Sequence, residues 1–466
     1  MKIEITNAFN GKHLKSIEQH SLTDAEKMLE DAHNTFYAKD KWLKHHERVA
    51  ILNKLYTLMQ SEANEFAMLI AKEGGKPLTD AKVEVARAID GIKVACEELM
   101  NTFKGQEIPM GFTKASENRL SFKIYEPIGV VLAISAFNHP LNLAIHQVIP
   151  AVAVGCPVII KPASKTPSCT MKLVELLHKA GLPKEWCQYV ICDNKTAEFM
   201  VSSEKIAFFT FIGSAKVGWN LRNKLANGTR YALEHGGVAP VIIDKHLDSL
   251  ESIITPIVKG AFYHGGQVCI STQRIFVPKE LEKEFSKKLV AAVKKLKVGD
   301  PTLADTEVGP LIATKEVDRV HTWIENAKKE GATLLCGGKK ITDTCYQPTV
   351  LLNPSLESQV STEEVFGPLV CIYTYDDINQ AIKIANSTNL PFQAAIFSNN
   401  LGNIMKLFYN IESAGIIVND SSAFRVDWMP FGARKAAGYG IGGIGYAMHD
   451  MVTYKLLVIK DQNIPN

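Results

Sequence analysis

Net charge, uninterrupted apolar runs and paired cysteines are all scarce in this sequence. Lys and Arg number 52 against 49 Asp and Glu, so the formal net charge is only +3. This balance gives no electrostatic basis for binding nucleic acid or a membrane surface. The most apolar stretch, residues 129–160, is broken by polar residues and prolines, and residues 1–20 lack the pattern of a signal peptide. Neither segment is predicted to enter a membrane.

The nine cysteines are scattered along the chain, and none has a partner at the spacing of a metal or redox motif. This usage argues against a disulfide framework and predicts no metal site. It is typical of a reducing compartment, so a cytoplasmic protein is expected.

Helical patterns and alternating strand–helix patterns divide the chain. Residues 21–103 carry apolar residues at helical spacing, and residues 119–243 then alternate between strands and helices. This alternation predicts an α/β fold with a doubly wound parallel sheet, which binds nucleotides at the carboxyl ends of its strands. A second alternating block, residues 250–418, predicts a further α/β unit. The last strand, residues 453–460, has no neighbour in sequence and is expected to pair elsewhere, in this chain or another subunit.

Cys269 is the first candidate for chemistry. It ends the stretch A-F-Y-H-G-G-Q-V-C, in which Gly265 and Gly266 allow the backbone to approach a ligand closely. A single cysteine is more often a small buried side chain. It becomes a nucleophile where a base and an oxyanion site accompany it.

Two polar residues elsewhere in the chain can supply those functions. Glu234 lies on a glycine turn after a predicted strand, where a carboxylate suits a general base. Asn138 follows a buried strand, where its amide can donate to an oxyanion. A surface glutamate and an asparagine that merely begins a turn are the alternative interpretations.

Two short segments suggest a nucleotide site. Lys161 stands at a strand's carboxyl end, and Gly213-Ser214 joins a strand to a helix whose N-terminus suits a phosphate. Residues 438–443 match the pattern G-x-G-x-x-G literally, but they follow no predicted strand. A dinucleotide fingerprint requires that context, so this segment is rejected as one.

The order of these motifs resembles the aldehyde dehydrogenase superfamily, and the resemblance covers essentially the whole chain. The order runs from Asn138 through Lys161-Pro162, Gly213-Ser214, Glu234 and Cys269 to E-E-V-F-G-P at 363–368 and P-F-G at 430–432. The resemblance implies a nucleotide-binding domain, a catalytic domain and a small β oligomerisation element. Their implied limits are residues 1–117 with 128–235, residues 236–432, and residues 118–127 with 446–466, respectively.

The resemblance also implies oxidation of an aldehyde to a carboxylic acid, with hydride transfer to NAD(P). Cys269 would attack the aldehyde carbon, and its own N–H would hold the oxyanion together with the Asn138 amide. Glu234 would activate water to hydrolyse the thioester, which argues against an enzyme that acylates coenzyme A. Cofactor contacts are implied for Phe137, Lys161, Ser164, Gly213, Ser214, Val217, Gly218, Glu364 and Phe366.

The sequence departs from the family pattern at both the cofactor and the proton path. Ser164 stands where NAD-preferring members often carry a glutamate that repels a 2′-phosphate, so NADP is predicted to be accepted, with NAD as the alternative. Gln147 and Gly442 stand where many members carry the lysine and the acid of a proton relay. We therefore hypothesise that protons leave through Glu234 and water, or through His146.

The substrate pocket implied by the resemblance is unusually polar. Arg425 either pairs with Asp427 or Asp420 and faces water, or faces inward and favours a carboxylate, phosphate or hydroxyl-rich aldehyde. The run around it resembles the branch with lactaldehyde and phosphonoacetaldehyde dehydrogenases, although phosphonate-binding members carry an arginine where Val268 stands. The implied pocket residues are His139, Asn142, His146, Tyr263, Val268 and Arg425.

These patterns predict a small-molecule substrate and a symmetric assembly. The expected substrate is a small polar aldehyde such as lactaldehyde, glyceraldehyde or a semialdehyde, and the expected assembly is a homodimer or homotetramer. Two alternatives remain open. One is a cysteine hydrolase that pairs Cys269 with His264 or His235, and the other is a non-catalytic or weakly active member of the fold.

Overall fold

The computed structural model describes residues 2–464. Its helices follow the apolar spacing of the sequence, and several differ from the expected bounds by only a few residues. In chain order the helices are α1 (Leu22–Tyr37), α2 (His45–Ser61), α3 (Ala63–Gly74), α4 (Leu78–Thr102), α5 (Asn142–Val154), α6 (Ser168–Ala180), α7 (Asn194–Val201), α8 (Ala215–Arg222), α9 (Glu251–Phe262), α10 (Glu282–Val293), α11 (Thr314–Lys329), α12 (Gln359–Thr362), α13 (Ile378–Ala385), α14 (Leu401–Asn410) and α15 (Ile444–Asp450).

The strands form five sheets within the described residues, three of which have three or more strands. In chain order the strands are β1 (Lys2–Thr6), β2 (His13–Glu18), β3 (Gln106–Glu107), β4 (Arg119–Pro127), β5 (Val130–Ile134), β6 (Val158–Lys161), β7 (Cys187–Tyr189), β8 (Ile206–Ile212), β9 (Arg230–Glu234), β10 (Ala239–Ile243), β11 (Thr272–Pro278), β12 (Thr333–Cys336), β13 (Thr349–Leu352), β14 (Leu369–Tyr375), β15 (Gln393–Phe397), β16 (Gly415–Val418), β17 (Phe431–Gly432), β18 (Gly438–Tyr439), β19 (Ile441–Gly442) and β20 (Val452–Lys460).

A six-stranded sheet in the order β18-β9-β8-β5-β6-β7 forms the first layer. Its long strands are parallel, and only the short β18 is antiparallel to its neighbour β9. Alternate residues of β5 point to opposite faces of the sheet: Val131 packs in the core with α2–α6, and Leu132 packs in the core with α1 and α7. Helices cover both faces, which explains why β5 is apolar at every position. The doubly wound α/β fold class is therefore confirmed.

A seven-stranded sheet in the order β12-β13-β14-β11-β10-β15-β16 forms the second layer. Only β12 is antiparallel to its neighbour. The expectation of strands in this block was correct but incomplete, because β15, α13 and α14 were not predicted. The five residues of β15 are all buried between β10 and β16, and so short a run has no periodicity to reveal it.

The last strand pairs within the chain. β20 lies antiparallel to β4 along its whole length, from Val452 opposite Pro127 to Lys460 opposite Arg119. Of the two places left open for its partner, the described residues show the one in this chain, and β20 remains an edge strand of the sheet β20-β4-β3. The domain limits given above stay a prediction.

The helix α5 was missed because it is apolar all round and contains Pro150. All thirteen of its residues are buried, so it lacks the polar face that marks an amphipathic helix. The carboxylate of Glu84, on α4, accepts hydrogen bonds from the backbone N–H groups of Leu141 (3.0 Å) and Asn142 (3.1 Å) at its N-terminus. Lys76 forms a fully buried ion pair with Glu84. This clamp fixes the start of α5 and the turn that precedes it.

Two further features complete the fold. The N-terminal hairpin of β1 and β2 was not predicted from its mixed polar sequence. No helix in the described part of the chain is long and apolar enough to cross a membrane.

Candidate active site

A cavity of about 550 Å³ lies beyond the carboxyl ends of β5, β8 and β9. The loop before β11 and the loop after α12 close its other side. It brings together fourteen of the eighteen residues predicted for the site. These are Phe137, Asn138, His139, Asn142, Gly213, Ser214, Val217, Glu234, Tyr263, Val268, Cys269, Glu364, Phe366 and Arg425.

Cys269 lies in the cavity wall on a backbone that turns sharply. His264, Gly265 and Gly266 all have positive φ, and a Cβ on Gly266 would lie 2.1 Å from the carbonyl oxygen of Gly367. The glycine pair therefore serves close packing between two loops, whereas the sequence suggested approach to a ligand. Burial raises the pKa of the Cys269 thiol to about 12, against the opposing charge of Arg425. The free thiol needs a base before it can attack.

Asn138 is held beside this loop. Its Nδ2 donates one hydrogen to the carbonyl oxygen of Gln267 over 2.9 Å. The second hydrogen of the amide is not used in this contact. The Gln267 side chain is itself fixed, because it donates to the carbonyls of His264 and Pro310 and accepts from the N–H of Ile312. Sequence reasoning missed Gln267 as the residue that joins the two loops.

Glu234 ends β9 and separates the main cavity from a smaller one. The smaller cavity is also lined by His146, Gln147 and Gly442. A Cβ on Gly442 would lie 2.2 Å from Oε1 of Glu234, so the carboxylate occupies the space that a side chain there would need. Burial raises the pKa of Glu234, with the charge of Arg425 opposing the shift. A carboxyl group of this kind suits proton transfer near neutral pH.

Gln147 is a structural amide in this position. Its Nε2 donates over 3.2 Å to the carbonyls of Ile134 and Thr210 and to the Thr210 hydroxyl. Neither Gln147 nor Gly442 can carry a proton as a titratable group. The hypothesis of another proton path stays a prediction, and His146 and Glu234 both line the smaller cavity.

The turn between β8 and α8 forms the end of the cavity that the sequence predicts to hold the cofactor. Gly213 packs so tightly that a Cβ would lie 2.7 Å from the ring of Phe211. Across the cavity, the Glu364 carboxylate lies over Gly236, and its buried Oε1 has no hydrogen-bond partner. Burial raises the pKa of Glu364 to about 8, against the charge of Arg319. Such an orphaned acceptor fits the hydroxyl donors of a ribose.

Two aromatic rings border the same space. Phe137 and Phe366 meet edge to face with their centroids 5.8 Å apart. Phe366 has a φ of 46°, a conformation that costs energy in a non-glycine residue. The apolar surface of these two rings can pack against a planar ring of a cofactor.

Four predicted site residues do not line the main cavity. Lys161 is half-buried at the end of β6, and burial lowers the pKa of its amine. Ser164 is exposed in the loop that follows β6. Gly218 packs against His235, whose Nε2 would lie 2.0 Å from a Cβ there. His146 lies behind the wall, in contact with Asp427 and Arg425.

Arg425 projects into the substrate end of the cavity. Its guanidinium lies 3.5 Å above the ring of Phe431. Within residues 2–464 it forms no ion pair, because Asp427 is paired with Arg87 and with His146. The alternative in which Arg425 pairs with Asp427 is therefore excluded. Arg87, on α4, also lines the cavity, and the helical pattern of residues 21–103 gives no signal of this role.

The remaining predicted pocket residues include a half-buried polar pair. His139 and Tyr263 face each other, with Nε2 3.3 Å from the phenolic oxygen. Burial holds the pKa of His139 well below its usual range and the pKa of Tyr263 well above it. Both side chains are therefore neutral near pH 7. Asn142 and Val268 complete this part of the wall.

No histidine activates Cys269 directly in the described chain. His264 has both ring nitrogens buried without a partner, and His235 places its Nδ1 3.1 Å from the carbonyl of Ala436. Neither forms a hydrogen bond to the thiol. The geometry of a Cys–His hydrolase is absent from residues 2–464, which weakens that alternative.

Comparison with known proteins places the chain in a family. The model of the aldehyde dehydrogenase family matches residues 1–457, and the chain belongs to this family. A 3-sulfolactaldehyde dehydrogenase of Priestia aryabhattai is 37% identical over 460 residues, which cover 98% of this chain and 95% of the relative. The resemblance to this superfamily is thus confirmed.

Solved structures agree with that assignment. Aldehyde dehydrogenase 21 from Physcomitrella patens, solved in complex with the reaction product succinate, has a TM-score of 0.96 and 35% identity over 99% of this chain and 96% of its own. Glyceraldehyde-3-phosphate dehydrogenase GapN from Methanocaldococcus jannaschii, complexed with NADP, has a TM-score of 0.93 and 33% identity over 98% and 99% of the two chains.

Proposed function

We propose that this protein oxidises a small polar or anionic aldehyde to a carboxylic acid, with NADP or NAD as the hydride acceptor. The observation that carries the proposal is the placement of Cys269, Asn138 and Glu234 around one cavity. The cavity is bordered at one end by Gly213-Ser214 and Glu364, which fit a dinucleotide, and at the other end by Arg425.

The first step is attack of Cys269 on the aldehyde carbon. Its thiol must lose a proton, and Glu234 is the carboxylate in the wall that can accept it. The negative charge that develops on the carbonyl oxygen is stabilised by the free N–H of the Asn138 amide and by the backbone N–H of Cys269. The carbon is then held as a hemithioacetal.

When bound, the cofactor supplies a hydride acceptor. Loss of hydride leaves a thioester on Cys269, and water must enter to release the acid. Once the proton taken from the thiol has left Glu234 for solvent, the carboxylate can remove a proton from that water, and the Cys269 thiolate leaves as the acid forms. The raised pKa of Glu234 makes its carboxylate a stronger base than an exposed glutamate. The smaller cavity behind Glu234 gives the proton a space that leads away from the thioester.

The substrate end favours a negative charge. Arg425 has donors that face the cavity and no acid paired with it in residues 2–464. A carboxylate, sulfonate or phosphate on the aldehyde would form charge-assisted hydrogen bonds there. The relatives support this class, because one is a 3-sulfolactaldehyde dehydrogenase and another was solved with succinate.

Two further features belong to the proposal. Ser164 and the neighbouring Lys165 are exposed, so no acidic side chain at that position repels a 2′-phosphate, and NADP is accepted. A homodimer or homotetramer forms through the sheet edge at β20. That strand exposes Tyr454, Leu456, Leu457, Val458 and Ile459, and an apolar edge strand is a template for pairing.

The test is an aldehyde panel assayed with both cofactors. Succinic semialdehyde, 3-sulfolactaldehyde and glyceraldehyde 3-phosphate represent the anionic class, and propanal is the neutral control. We expect formation of reduced NADP with at least one anionic aldehyde, at a higher kcat/KM than with propanal. If no aldehyde reduces either cofactor while the cofactors still bind, the chain is a non-catalytic member of the fold.

A further inference from the structure

Asp427 is the acceptor at the centre of a buried group of polar side chains. Arg87 donates to both of its carboxylate oxygens, with Nε 3.0 Å from Oδ2 and Nη2 2.7 Å from Oδ1. Oδ1 also accepts from Nδ2 of Asn142 (3.1 Å) and contacts Nε2 of His146 (2.7 Å). Asp427 is only 4% exposed. Four donors on one buried carboxylate fix its position.

This arrangement determines the tautomer of His146. An ionised Asp427 can only accept, so Nε2 of the imidazole must carry the proton. Burial and the charge of Arg425 lower the pKa of His146 to about 4, against the opposing effect of Asp427. The ring is therefore neutral near pH 7, and its Nδ1 presents a lone pair. Nη2 of Arg425 donates toward this Nδ1 over 3.5 Å, a long and therefore weak contact that gives the guanidinium an acceptor on this side.

The guanidinium of Arg425 is thus held on two sides. The ring of Phe431 lies beneath it and His146 lies at one nitrogen, while its buried Nε has no hydrogen-bond partner. A buried unpaired donor is costly unless a ligand satisfies it. The side chain is therefore oriented in advance, with donors left over for an anion in the cavity.

Because Arg87 pairs with Asp427, Arg425 can bind an anion in the cavity. Asp427 is two residues away in sequence, but Arg87 occupies both of its oxygens. Arg87 and Asp427 cancel, which leaves the charge of Arg425 at this end of the cavity. The other ionisable groups that face Arg425 are Glu234 and the thiol of Cys269.

We propose that Asp427 and His146 are positioning residues for substrate selection, which act through Arg425 by fixing the direction of its guanidinium. Neither touches the aldehyde. Together they determine how strongly the anionic end of the substrate is bound. This inference rests on the proposed oxidation of an anionic aldehyde at Cys269.

The sharpest test uses two variants, each of which removes one negative charge from the loop that carries Arg425. Asp427→Ala takes away the fixed acceptor, and Asp420→Ala removes the same charge from an exposed position of the same loop. If charge alone matters, both changes make the cavity more positive and lower KM for succinic semialdehyde. Positioning predicts the opposite for Asp427→Ala, a rise in KM of about tenfold, with Asp420→Ala near the parent enzyme.

A second pair of variants changes His146 and keeps the Asp427 side chain, and both changes also remove the hydrogen bond from Nε2 to Asp427. His146→Asn places an amide oxygen where Nδ1 accepts, and His146→Leu removes the acceptor. We expect KM for succinic semialdehyde to rise about tenfold in His146→Leu and to be largely restored in His146→Asn. Both variants should leave kcat, its pH profile and kcat/KM for propanal within about twofold of the parent enzyme.

The outcomes separate this inference from the proposed function. Equal losses for the anionic aldehyde and propanal would show a merely structural role, and a changed pH profile of kcat would make His146 a proton carrier. A lower KM in Asp427→Ala would show a field effect. Each of these results overturns the inference while leaving aldehyde oxidation intact. Absence of turnover with any aldehyde in the parent enzyme would instead overturn the proposed function.

Discussion

The pKa values of buried carboxyl groups shift in opposite directions in two parts of the site. Beside the candidate nucleophile, burial without a paired cation raises the pKa of Glu234, and at the end predicted for the cofactor it raises that of Glu364. At the substrate end, burial alone would raise the pKa of Asp427, but the hydrogen bond from His146 and the charge of Arg87 hold it well below its usual range. Burial is similar in the two places, so the partners decide which carboxyl group is ionised.

This difference matches the two tasks that we propose. A group that must gain and lose protons is kept near neutrality, whereas a group that must stay fixed is kept charged and fully bonded. Arg425 links the two ends, because its charge lowers the pKa of Cys269 and that of Glu234 while its donors face the substrate. The following changes test each side of the comparison.

Cys269→Ala should have the largest effect on the reacting end. Because no other thiol lines the cavity wall, we expect dehydrogenase activity to fall roughly 10⁴-fold or more. Aldehyde oxidation is followed by the absorbance of the reduced cofactor, and NADP binding by fluorescence titration. Cys96→Ala is the matched control, since Cys96 lies on α4 and is not among the described residues that line the cavity. Equal losses in both variants would contradict the assignment of Cys269.

Glu234→Gln should have the next largest effect. It keeps the size of the side chain but cannot accept a proton, so we expect kcat to fall roughly 10²- to 10³-fold. Rapid mixing shows which step is slowed: a normal first-turnover burst places the loss in thioester hydrolysis, and a slow burst adds the thiol step. An unchanged kcat would show that water and thiol are activated elsewhere.

Arg425→Met should affect the substrate end first. We expect KM for succinic semialdehyde to rise roughly 30-fold, since a charge-assisted hydrogen bond contributes about 2 kcal/mol. The reacting end should respond as well. Arg425 lowers the pKa of Cys269 and of Glu234, so its loss should shift the rising limb of kcat/KM for propanal to higher pH.

Arg425→Lys is the matched control for this prediction. It keeps the positive charge but not the planar fork, so the pH profile should stay while KM for the anionic aldehyde still rises. A loss of kcat/KM for propanal as large as that for succinic semialdehyde would show that Arg425 does not select for charge.

Glu364→Gln should have the smallest effect, and on stability. The pKa of Glu364 is raised to about 8 in the folded protein. The stability that its neutral form contributes is full below the unfolded pKa of about 4.3 and is lost as pH rises toward about 8. Without cofactor, Glu364→Gln should raise Tm by a few degrees at pH 8 and change it little at pH 4. An equal shift of Tm at both pH values would contradict the raised pKa.

Sequence reasoning named the candidate reacting residues and five of the six predicted pocket residues that line the cavity, but it did not find Arg87 or Gln267. Cys269, Glu234 and Asn138 each follow or precede a recognisable strand, and their order along the chain matches a known family. Arg87 and Gln267 carry no such signal, because one lies on a helix with ordinary spacing and the other acts through backbone carbonyls. Their roles depend on contacts between residues 340 and 129 positions apart in the chain.

Local pattern also could not place every element. The buried α5 and β15 present no polar face, so neither helical nor strand periodicity marks them. The glycine pair before Cys269 was recognised as a turn, but only the packed structure shows that Gly266 meets the backbone of Gly367 rather than a ligand.

By itself, the sequence determined the fold class, the order of the motifs and the identity of the candidate nucleophile, base and oxyanion donor. The fold class follows from strand and helix periods, which are local properties, whereas the roles of these three residues follow from the resemblance to a known family. The tertiary structure decided which charges meet. In the folded chain Asp427 pairs with Arg87, and Arg425 faces the cavity. The partner of a buried charge is set by packing between distant elements.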